Sequence, residues 1–273
     1  MRRALPSLAL NATLIAGAAI TLVPLVWMVS ASLMPTGDAN TFPPRLLPRV
    51  VTFEHYRELF TRLDLARHFA NSALVAVAST LISLLVNSLA GYAFAKLRFR
   101  GRERAFQILL AALVIPAQVG MLPLFLELKA MGLVNTYVSV IIPFMAGVFG
   151  IFMIRQYALS VPDDLLDAAR VDGAGEFRIF WTVVIPVLRP ILVTLAVFVF
   201  LSAWNDFMWP LITLSDQAKY TLPVALASLS GEHVQDTELM MAGAVLTVLP
   251  VILVFLALQR SYVRGVMMGS VKG

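Results

Sequence analysis

The sequence predicts an all-α integral membrane protein, built as a bundle of six transmembrane helices. Of its 273 residues, 59% are hydrophobic and only 14% are charged, and the mean hydropathy is +0.84. Soluble domains are about 45–50% apolar and about 25% charged. The apolar residues also form long runs without charge, and a spanning helix needs about 20 such residues. A soluble domain is therefore excluded.

The charge-free runs define the six predicted spans. Five are long enough to cross a bilayer directly, whereas the fifth in chain order is short and continues past Asp206 through Phe207–Ser215. The first run is about twice as long as the roughly 7–15 apolar residues of a signal peptide, so we expect an uncleaved span. We expect one transmembrane domain over residues 1–273, with core spans from about 69 to 260. The runs are Ala4–Gly37, Phe69–Ala95, Ala105–Leu126, Ala130–Ile154, Pro190–Asn205 and Leu239–Gln259.

The basic residues predict the orientation. If the N-terminus lies in the cytoplasm, fourteen of the 21 basic residues fall on the inside, including the cluster Lys96–Arg104. Five of the seven outside ones share one long loop, and long loops count less in the positive-inside rule. Both termini are therefore expected inside the cell, and this placement of charge leaves no basic surface for nucleic acid. The outside seven are Arg45, Arg49, Arg57, Arg62, Arg67, Lys129 and Lys219.

The first outside loop contains an amphipathic pattern over residues 51–65. Its apolar residues recur at helical spacing, which predicts a helix lying on the outer membrane face. A helix packing on its own spans explains the pattern equally well. None of the three histidines, His55, His68 and His233, pairs at metal-ligand spacing, so we expect surface residues and no metal site.

A polar segment, residues 155–190 (the 155–190 loop), separates two apolar runs. Ser160 and Pro162 resemble a helix start with a serine cap, and acidic residues follow where the helix dipole favours them. Gly173 and Gly175 break this helix, and a second one is predicted from about Glu176 toward Pro186. Two short helices joined by a glycine turn would form a docking element, although a plain solvated loop has the same pattern.

The small and acidic residues of this loop suit a docking role. Small side chains would let another surface approach closely, and Asp167 would offer a carboxylate to a partner's base. The small residues are Ala168, Ala169, Gly173 and Ala174.

The 155–190 loop resembles a known signature. Asp167-Ala168-Ala169, three residues, Gly173, nine residues and Val183-Val184-Ile185-Pro186 are similar to the EAA signature of ABC importer permeases, which reads Glu-Ala-Ala, three residues, Gly, nine residues, Ile-x-Leu-Pro. Asp-Gly-Ala at 172–174 and Pro190 fit the carbohydrate-uptake branch, of the maltose and glycerol-phosphate type. The family's leading glutamate is Asp167 here, which keeps the charge with a shorter reach.

The resemblance implies a type I importer permease with a MetI-like fold and a cytoplasmic coupling helix. It implies four kinds of protein partner or ligand: a second permease, two ATP-binding subunits, an extracytoplasmic solute-binding protein and a sugar-like solute. It places the chain in a bacterial or archaeal plasma membrane, surrounded by lipid. The residues that it assigns to the contact with the ATP-binding subunit are Asp167, Ala168, Ala169, Asp172, Gly173, Ala174 and Pro186.

The chain lacks a GxxxxGK[ST] phosphate loop, so we expect no ATP hydrolysis by this subunit and no directly bound cofactor. ATP and magnesium would belong to the partner ATPase. No catalytic residue is expected.

A second polar group lies within the fifth span. Asp206 falls near its outer end beside Trp204 and Asn205, and ionisable residues within a membrane are functional candidates by default. Aromatic rings and amides also suit sugar recognition, so we expect a solute pathway or gate here, together with Asn71. An interfacial tryptophan with a capping Asn-Asp pair, and hydrogen bonding between helices at Asn71, are the alternatives.

Two other classes compete with an ATP-driven importer. An ion-driven secondary transporter would need midplane ionisable residues and inverted repeats, and only Asp206 qualifies. A membrane enzyme could use the acidic residues Asp163, Asp164, Asp167 and Asp172 as a metal site, although helix capping and docking explain them more simply. Within the importer class, a glycerol-phosphate-type solute is the alternative to a sugar.

Overall fold

The computed structural model describes residues 4–43, 45–232 and 236–270, and every regular element in these ranges is helical. Short 3₁₀ turns follow α4 and α6 and precede α12, and a π-helical turn, Phe180–Val184, joins α9 to α10. The helices are α1 (Ala4–Ala31), α2 (Glu54–Arg62), α3 (Leu65–Lys96), α4 (Arg102–Ala111), α5 (Ala117–Ala130), α6 (Tyr137–Ile141), α7 (Val148–Ala158), α8 (Asp163–Val171), α9 (Glu176–Ile179), α10 (Ile185–Trp204), α11 (Met208–Thr213), α12 (Leu222–Glu232) and α13 (Thr237–Ser270).

Four helical segments are long and apolar enough to cross a membrane: Leu10–Ala31, Leu65–Lys96, Glu176–Trp204 and Thr237–Gln259. Two helix pairs meet the same criteria only when taken together, and both are bent. Arg102–Val114 and Ala117–Ala130 meet at 104°, whereas Tyr137–Phe144 and Val148–Ala158 meet at 42°. By length and composition, the described part of the chain therefore contains four to six candidate spans, depending on whether each bent pair crosses once.

Proline explains the sharper bend. Ile115 takes an extended conformation and Pro116 precedes α5, because proline disfavours helical backbone in the residue before it and cannot donate a backbone hydrogen bond. The apolar run at 105–126 is thus two helices rather than one straight span.

The contacts divide the chain into two compact units. The first contains the residues up to Ala66 together with Ala225–Pro250. Here Ala31, Met34 and Ala39 form a small core, and the Ala39 amide donates a 2.7 Å hydrogen bond to the buried Glu238 carboxylate.

His55 also belongs to the interior of this unit, so the predicted surface position is wrong. Its Nε2 lies 2.9 Å from the Met34 carbonyl oxygen, and its ring is buried on α2. His55 and Leu59 are four residues apart, so they lie on the same face of α2, and this face packs inward. His233 lies outside the described residues.

The second unit contains Arg67–Val224 and the residues from Val251 onward. Its core joins α3, α7, α8 and the helix that starts at Glu176. The α3 and α7 backbones approach so closely that a Cβ on Gly91 would lie 2.6 Å from Ile154 Cγ2. His68 is half-buried here and lies 3.0 Å from the Tyr220 carbonyl oxygen, so it too is not the surface residue that was predicted.

Candidate functional site: the 155–190 loop

Helix α8, the first helix of the loop, begins at a proline followed by two acidic residues. Pro162 is the N-cap of α8, and Asp163 and Asp164 occupy the first turn, where the helix dipole favours negative charge. Ser160 does not cap the helix as predicted, because its hydroxyl donates to the Tyr157 carbonyl oxygen.

A Schellman turn ends α8. The Gly173 amide donates to the Arg170 carbonyl and the Ala174 amide to the Ala169 carbonyl, both at 3.0 Å. Gly173 has φ of +80°, the left-handed conformation that this motif places just after the helix and that glycine adopts without penalty. The predicted glycine turn is thus present, with a defined hydrogen-bonding pattern.

The second helix is longer than predicted. It begins at Glu176, passes through the π-helical turn Phe180–Val184 and continues as α10 to Trp204, so it does not stop near Pro186. Pro186 directly follows the π-helical turn, and local π adjustments of this kind accommodate proline inside a membrane helix. The loop is therefore connected to a membrane-crossing helix by continuous helical backbone.

A buried core fixes the loop to its own unit. Leu166 of α8 and Ile179 and Phe180 after the turn are at most 1% exposed, and they pack with Tyr92 of α3. The Tyr92 and Phe180 rings lie 5.7 Å apart. Close packing of this kind resists continuous deformation, so the 155–190 loop is a folded element and not a plain solvated loop.

An ionic network crosses the turn. Arg170 Nη1 lies 2.6 Å from Asp167 Oδ1, and Arg170 Nε lies 2.8 Å from Glu176 Oε1. The hydrogen bonds and charges of Glu176 and Asp167 raise the pKa of Arg170 further. Glu176 also accepts a 2.9 Å hydrogen bond from the Tyr92 hydroxyl. The helices on either side of the turn are thus joined to each other and to α3.

Lys96 of α3 holds the start of α8. Its Nζ donates to the Val161 carbonyl oxygen at 2.6 Å and to Asp163 Oδ1 at 2.7 Å, and its side chain is only 8% exposed. The hydrogen bond and charge of Lys96 lower the pKa of the Asp163 carboxyl. The segment from Val161 to Glu176, which contains α8 and its turn, is therefore held at both ends by the last two turns of α3.

The predicted contact residues divide into two groups. Asp167 keeps 65% of its side chain exposed despite its ion pair with Arg170, so it remains reachable by a partner. Ala169 and Ala174 are half-buried against the loop's own core, and their small size serves that packing. The exposed members are Asp167, Ala168, Asp172, Gly173 and Pro186.

The structure adds residues that were not predicted. Val171 is 87% exposed and Phe177 is 70% exposed, and they lie on either side of the glycine turn. Their signal in the sequence was an apolar residue at each edge of the charged stretch Asp172–Glu176. Tyr92, Lys96 and Arg170 left no comparable signal.

The residues of the second predicted site, at the end of α10, are engaged in packing and hydrogen bonds within the chain. Trp204 is buried, and its ring meets Phe69 edge-on at 5.4 Å and stacks on Phe200 at 5.8 Å. Asn205 Nδ2 donates to the Leu201 carbonyl, and Asp206 Oδ1 accepts from the Trp209 amide at 3.4 Å. The Asn-Asp pair thus bridges the break between α10 and α11, as the capping alternative predicted.

Both the nitrogen and the oxygen of the Asn71 side-chain amide form hydrogen bonds. Its Nδ2 donates to the Ala218 and Tyr220 carbonyls, both at 3.0 Å, and its Oδ1 accepts from the Tyr137 hydroxyl at 2.7 Å. These contacts join α3 to the 214–221 connection and to α6, and the bond to Tyr137 is of the interhelical kind that the alternative for Asn71 described.

The acidic residues of the loop are not arranged for a metal. Asp163 is paired with Lys96 and Asp167 with Arg170. Within residues 4–43, 45–232 and 236–270, no group of three or more His, Asp or Glu side chains is placed to hold a metal ion.

Comparison with known proteins identifies the family. Residues 87–267, which include the whole 155–190 loop, match the family model described as binding-protein-dependent transport system inner membrane component. The chain is 36% identical over 257 residues to the arabinooligosaccharides transport system permease protein AraQ of Halalkalibacterium halodurans, covering 93% of this chain and 92% of that one. It is also 36% identical over 276 residues to the lactose transport system permease protein LacG of Rhizobium radiobacter, covering 100% and 98%.

A solved structure agrees with both matches. The chain is similar to a component of a bacterial ABC transporter involved in the import of the acidic polysaccharide alginate, with a TM-score of 0.80, 28% identity and coverage of 94% of this chain and 97% of that one. The resemblance drawn from the EAA-like signature is confirmed. The chain belongs to the family of binding-protein-dependent transport system inner membrane components.

Proposed function

We propose that this chain is a permease subunit of an ATP-driven ABC importer for a carbohydrate or sugar-like solute, and that it forms half of the translocation pathway. Family membership and the names of the relatives, which transport arabinooligosaccharides and lactose, support an ABC importer over an ion-driven transporter. The same names favour a sugar over a glycerol-phosphate-type solute.

The proposal includes a topology of six spans with both termini in the cytoplasm. Each bent helix pair would cross the membrane once, which with the four straight segments gives six. The excess of basic residues in the short inside segments supports this orientation. The 155–190 loop then lies on the cytoplasmic face, where ATP is available.

The single observation that carries the proposal is the construction of the 155–190 loop. It packs into a core that it shares with α3 and α7, and it has a defined turn and continuous helical backbone into α10. An element of this kind can pass on a rigid-body displacement. It would seat against an ATP-binding subunit through the exposed residues Asp167, Ala168 and Gly173, with Val171 and Phe177 as apolar contacts.

The remaining partners follow from the family. A solute-binding protein would deliver the solute, in line with the family's description. A second permease would complete the pathway, and two ATP-binding subunits would carry ATP and magnesium, so this chain itself would have no catalytic activity. Asn205 and Asp206 would line the pathway or gate at the break after α10, with Trp204 packed beside that break and Asn71 contributing from α3.

Ala168 offers the sharpest test. It lies on the exposed side of α8, so Ala168→Trp adds bulk to the docking surface without disturbing the core. We expect solute uptake into proteoliposomes and stimulated ATPase activity both to fall by about tenfold or more, as for loss of an interface hot spot. Ala168→Ser, at the same position, should behave as wild type.

Two results would contradict the proposal. Undiminished uptake by Ala168→Trp would show that this face of the loop does not contact the ATP-binding subunit. Uptake that continues without ATP would show that the chain does not belong to an ATP-driven importer. The solute is identified in the same vesicles, by comparing sugars with glycerol phosphate.

A further inference from the structure

A segment of the first unit exposes apolar side chains that no part of that unit covers. It comprises residues 45–53 (the 45–53 segment), between α1 and α2, and most of its large apolar residues are more exposed than buried. Leu47 is 72% exposed. Apolar surface of this kind marks a contact with a protein or a membrane. The exposed residues are Leu46, Leu47, Val50, Val51 and Phe53.

Two hydrogen bonds fix the depth of the segment along α1. The Trp27 indole Nε1 donates to the Arg45 carbonyl oxygen at 3.1 Å, and the Ser30 hydroxyl donates to the Leu46 carbonyl oxygen at 2.6 Å. The helix ends at Ala31. Trp27 therefore lies about 6 Å before the helix end, at a rise of about 1.5 Å per residue. Helical side chains also lean toward the N-terminus, so the backbone at 45–46 lies alongside the last turn of α1 and not beyond it.

That last turn lies at the edge of the bilayer core. Helix α1 has 28 residues and is about 42 Å long, so it exceeds the hydrocarbon thickness of about 30 Å and its last turn reaches the interfacial region. Trp27 is then at the depth where tryptophan concentrates in membrane proteins. Side chains that leave the 45–53 segment at this depth, without cover from their own unit, meet the boundary between headgroups and acyl chains.

The charges and the adjoining helix agree with this depth. Arg49 is exposed among the apolar residues of the segment. On α2, the inward face carries His55 and Leu59, whereas Phe53, Arg57 and Phe60 share the exposed face. Aromatic side chains concentrate at the membrane–water interface, and basic side chains of an interfacial helix are attracted to anionic headgroups.

We propose that the 45–53 segment and the Phe53–Arg57–Phe60 face of α2 are embedded in the lipid leaflet at the C-terminal end of α1 and anchor the first unit there. The occupant of this surface is the lipid itself: acyl chains against Leu46, Leu47 and Val50, and phosphate headgroups at Arg49 and Arg57. The two sequence-based alternatives for α2 are then both correct, because one face packs on its own unit and the other enters the membrane. The proposal rests on α1 crossing the bilayer and is independent of the coupling role.

The chain has no cysteine, so a single introduced cysteine is a unique labelling site on this subunit. The chain, purified with the subunits that bind it and placed in lipid nanodiscs, would carry a nitroxide at Leu47→Cys or Val50→Cys. Collision with oxygen, which partitions into lipid, is compared with collision with a water-soluble nickel chelate. Ile15→Cys in the middle of α1 is the lipid reference, and Arg100→Cys in the exposed Lys96–Arg104 turn is the aqueous reference.

We expect both labels to resemble Ile15→Cys in favouring oxygen over nickel, at a shallower depth than that reference. Nickel access equal to that of Arg100→Cys would place the segment in water and overturn the proposal. Protection from both reagents would show that another protein covers it, and nickel access that falls only on addition of the solute-binding protein would show a docking site. Either result would also overturn the proposal, and neither depends on transport activity.

Discussion

The hydroxyl of Tyr92 links α3 to the 155–190 loop, and Tyr92→Phe removes that link alone. The ring is buried against Phe180 and stays in place, so the loss is one hydrogen bond to Glu176 Oε2. A hydrogen bond to a charged group contributes about 1.5–3 kcal/mol. The Glu176 side chain is 46% exposed, so water replaces part of this interaction and we expect a loss of about 1 kcal/mol.

A loss of about 1 kcal/mol raises the population of the open loop about fivefold, since about 1.4 kcal/mol corresponds to tenfold. Hydrogen exchange reports this opening at the amides of Asp172, Gly173 and Ala174, whose hydrogen bonds close the turn. We expect peptides covering residues 163–180 to exchange about fivefold faster in Tyr92→Phe.

Tyr137→Phe is the matched control. It also removes one tyrosine hydroxyl with a side-chain partner, here Asn71, in the same unit but away from the loop. Its loop peptides should exchange as in wild type. If exchange in Tyr92→Phe stays within about twofold of wild type, a difference of about 0.4 kcal/mol, then the hydroxyl does not hold the turn and the proposed link between α3 and the loop is wrong.

Three further predictions concern the same loop. Gly173→Val should lower the free energy of unfolding by about 1–2 kcal/mol, because φ is +80°, whereas Gly173→Asn tolerates that conformation; equal melting temperatures would contradict the strain. Phe177→Asp should reduce co-purification of the ATP-binding subunit by about tenfold, the effect of an interface hot spot, while Phe177→Leu retains it; full retention by both would exclude Phe177 from the interface. Lys96 lowers the pKa of Asp163, so the stabilisation by this pair is present above the unfolded pKa of about 3.9 and is lost as the pH falls through the folded value. The melting temperature of Asp163→Asn should therefore lie below that of wild type by a constant amount from about pH 5 to pH 8 and converge with it under stronger acid; a difference that disappears near neutral pH would refute the pairing.

Much of the loop could be predicted from local sequence. Pro162, the two aspartates after it and Gly173 each impose a local backbone preference, and α8 and its turn begin and end where those preferences indicate. The continuation of the second helix through Pro186 was missed. The second helix was predicted to run only toward Pro186, but the π-helical turn just before this proline lets the helix continue past it.

The bent spans show a different limit. The run at 105–126 is apolar on both sides of Pro116, so hydropathy cannot distinguish a straight helix from two helices at 104°. His55 shows a third limit, because a polar residue in an outside loop is usually exposed. It is buried here because the Met34 carbonyl oxygen offers it a hydrogen-bonding partner inside the unit.

The sequence by itself determined that the chain is a membrane protein, where its apolar runs lie and which family its loop signature belongs to. These properties depend on composition and on spacing along the chain. Only the tertiary structure decided which residues hold the loop. Tyr92 and Glu176 are 84 positions apart and Lys96 and Asp163 are 67 apart, and residues so distant in sequence meet only because the core packs α3 against α8 and the start of the helix at Glu176. Local preferences specify helices and turns, whereas pairing across such distances is a property of how those elements pack.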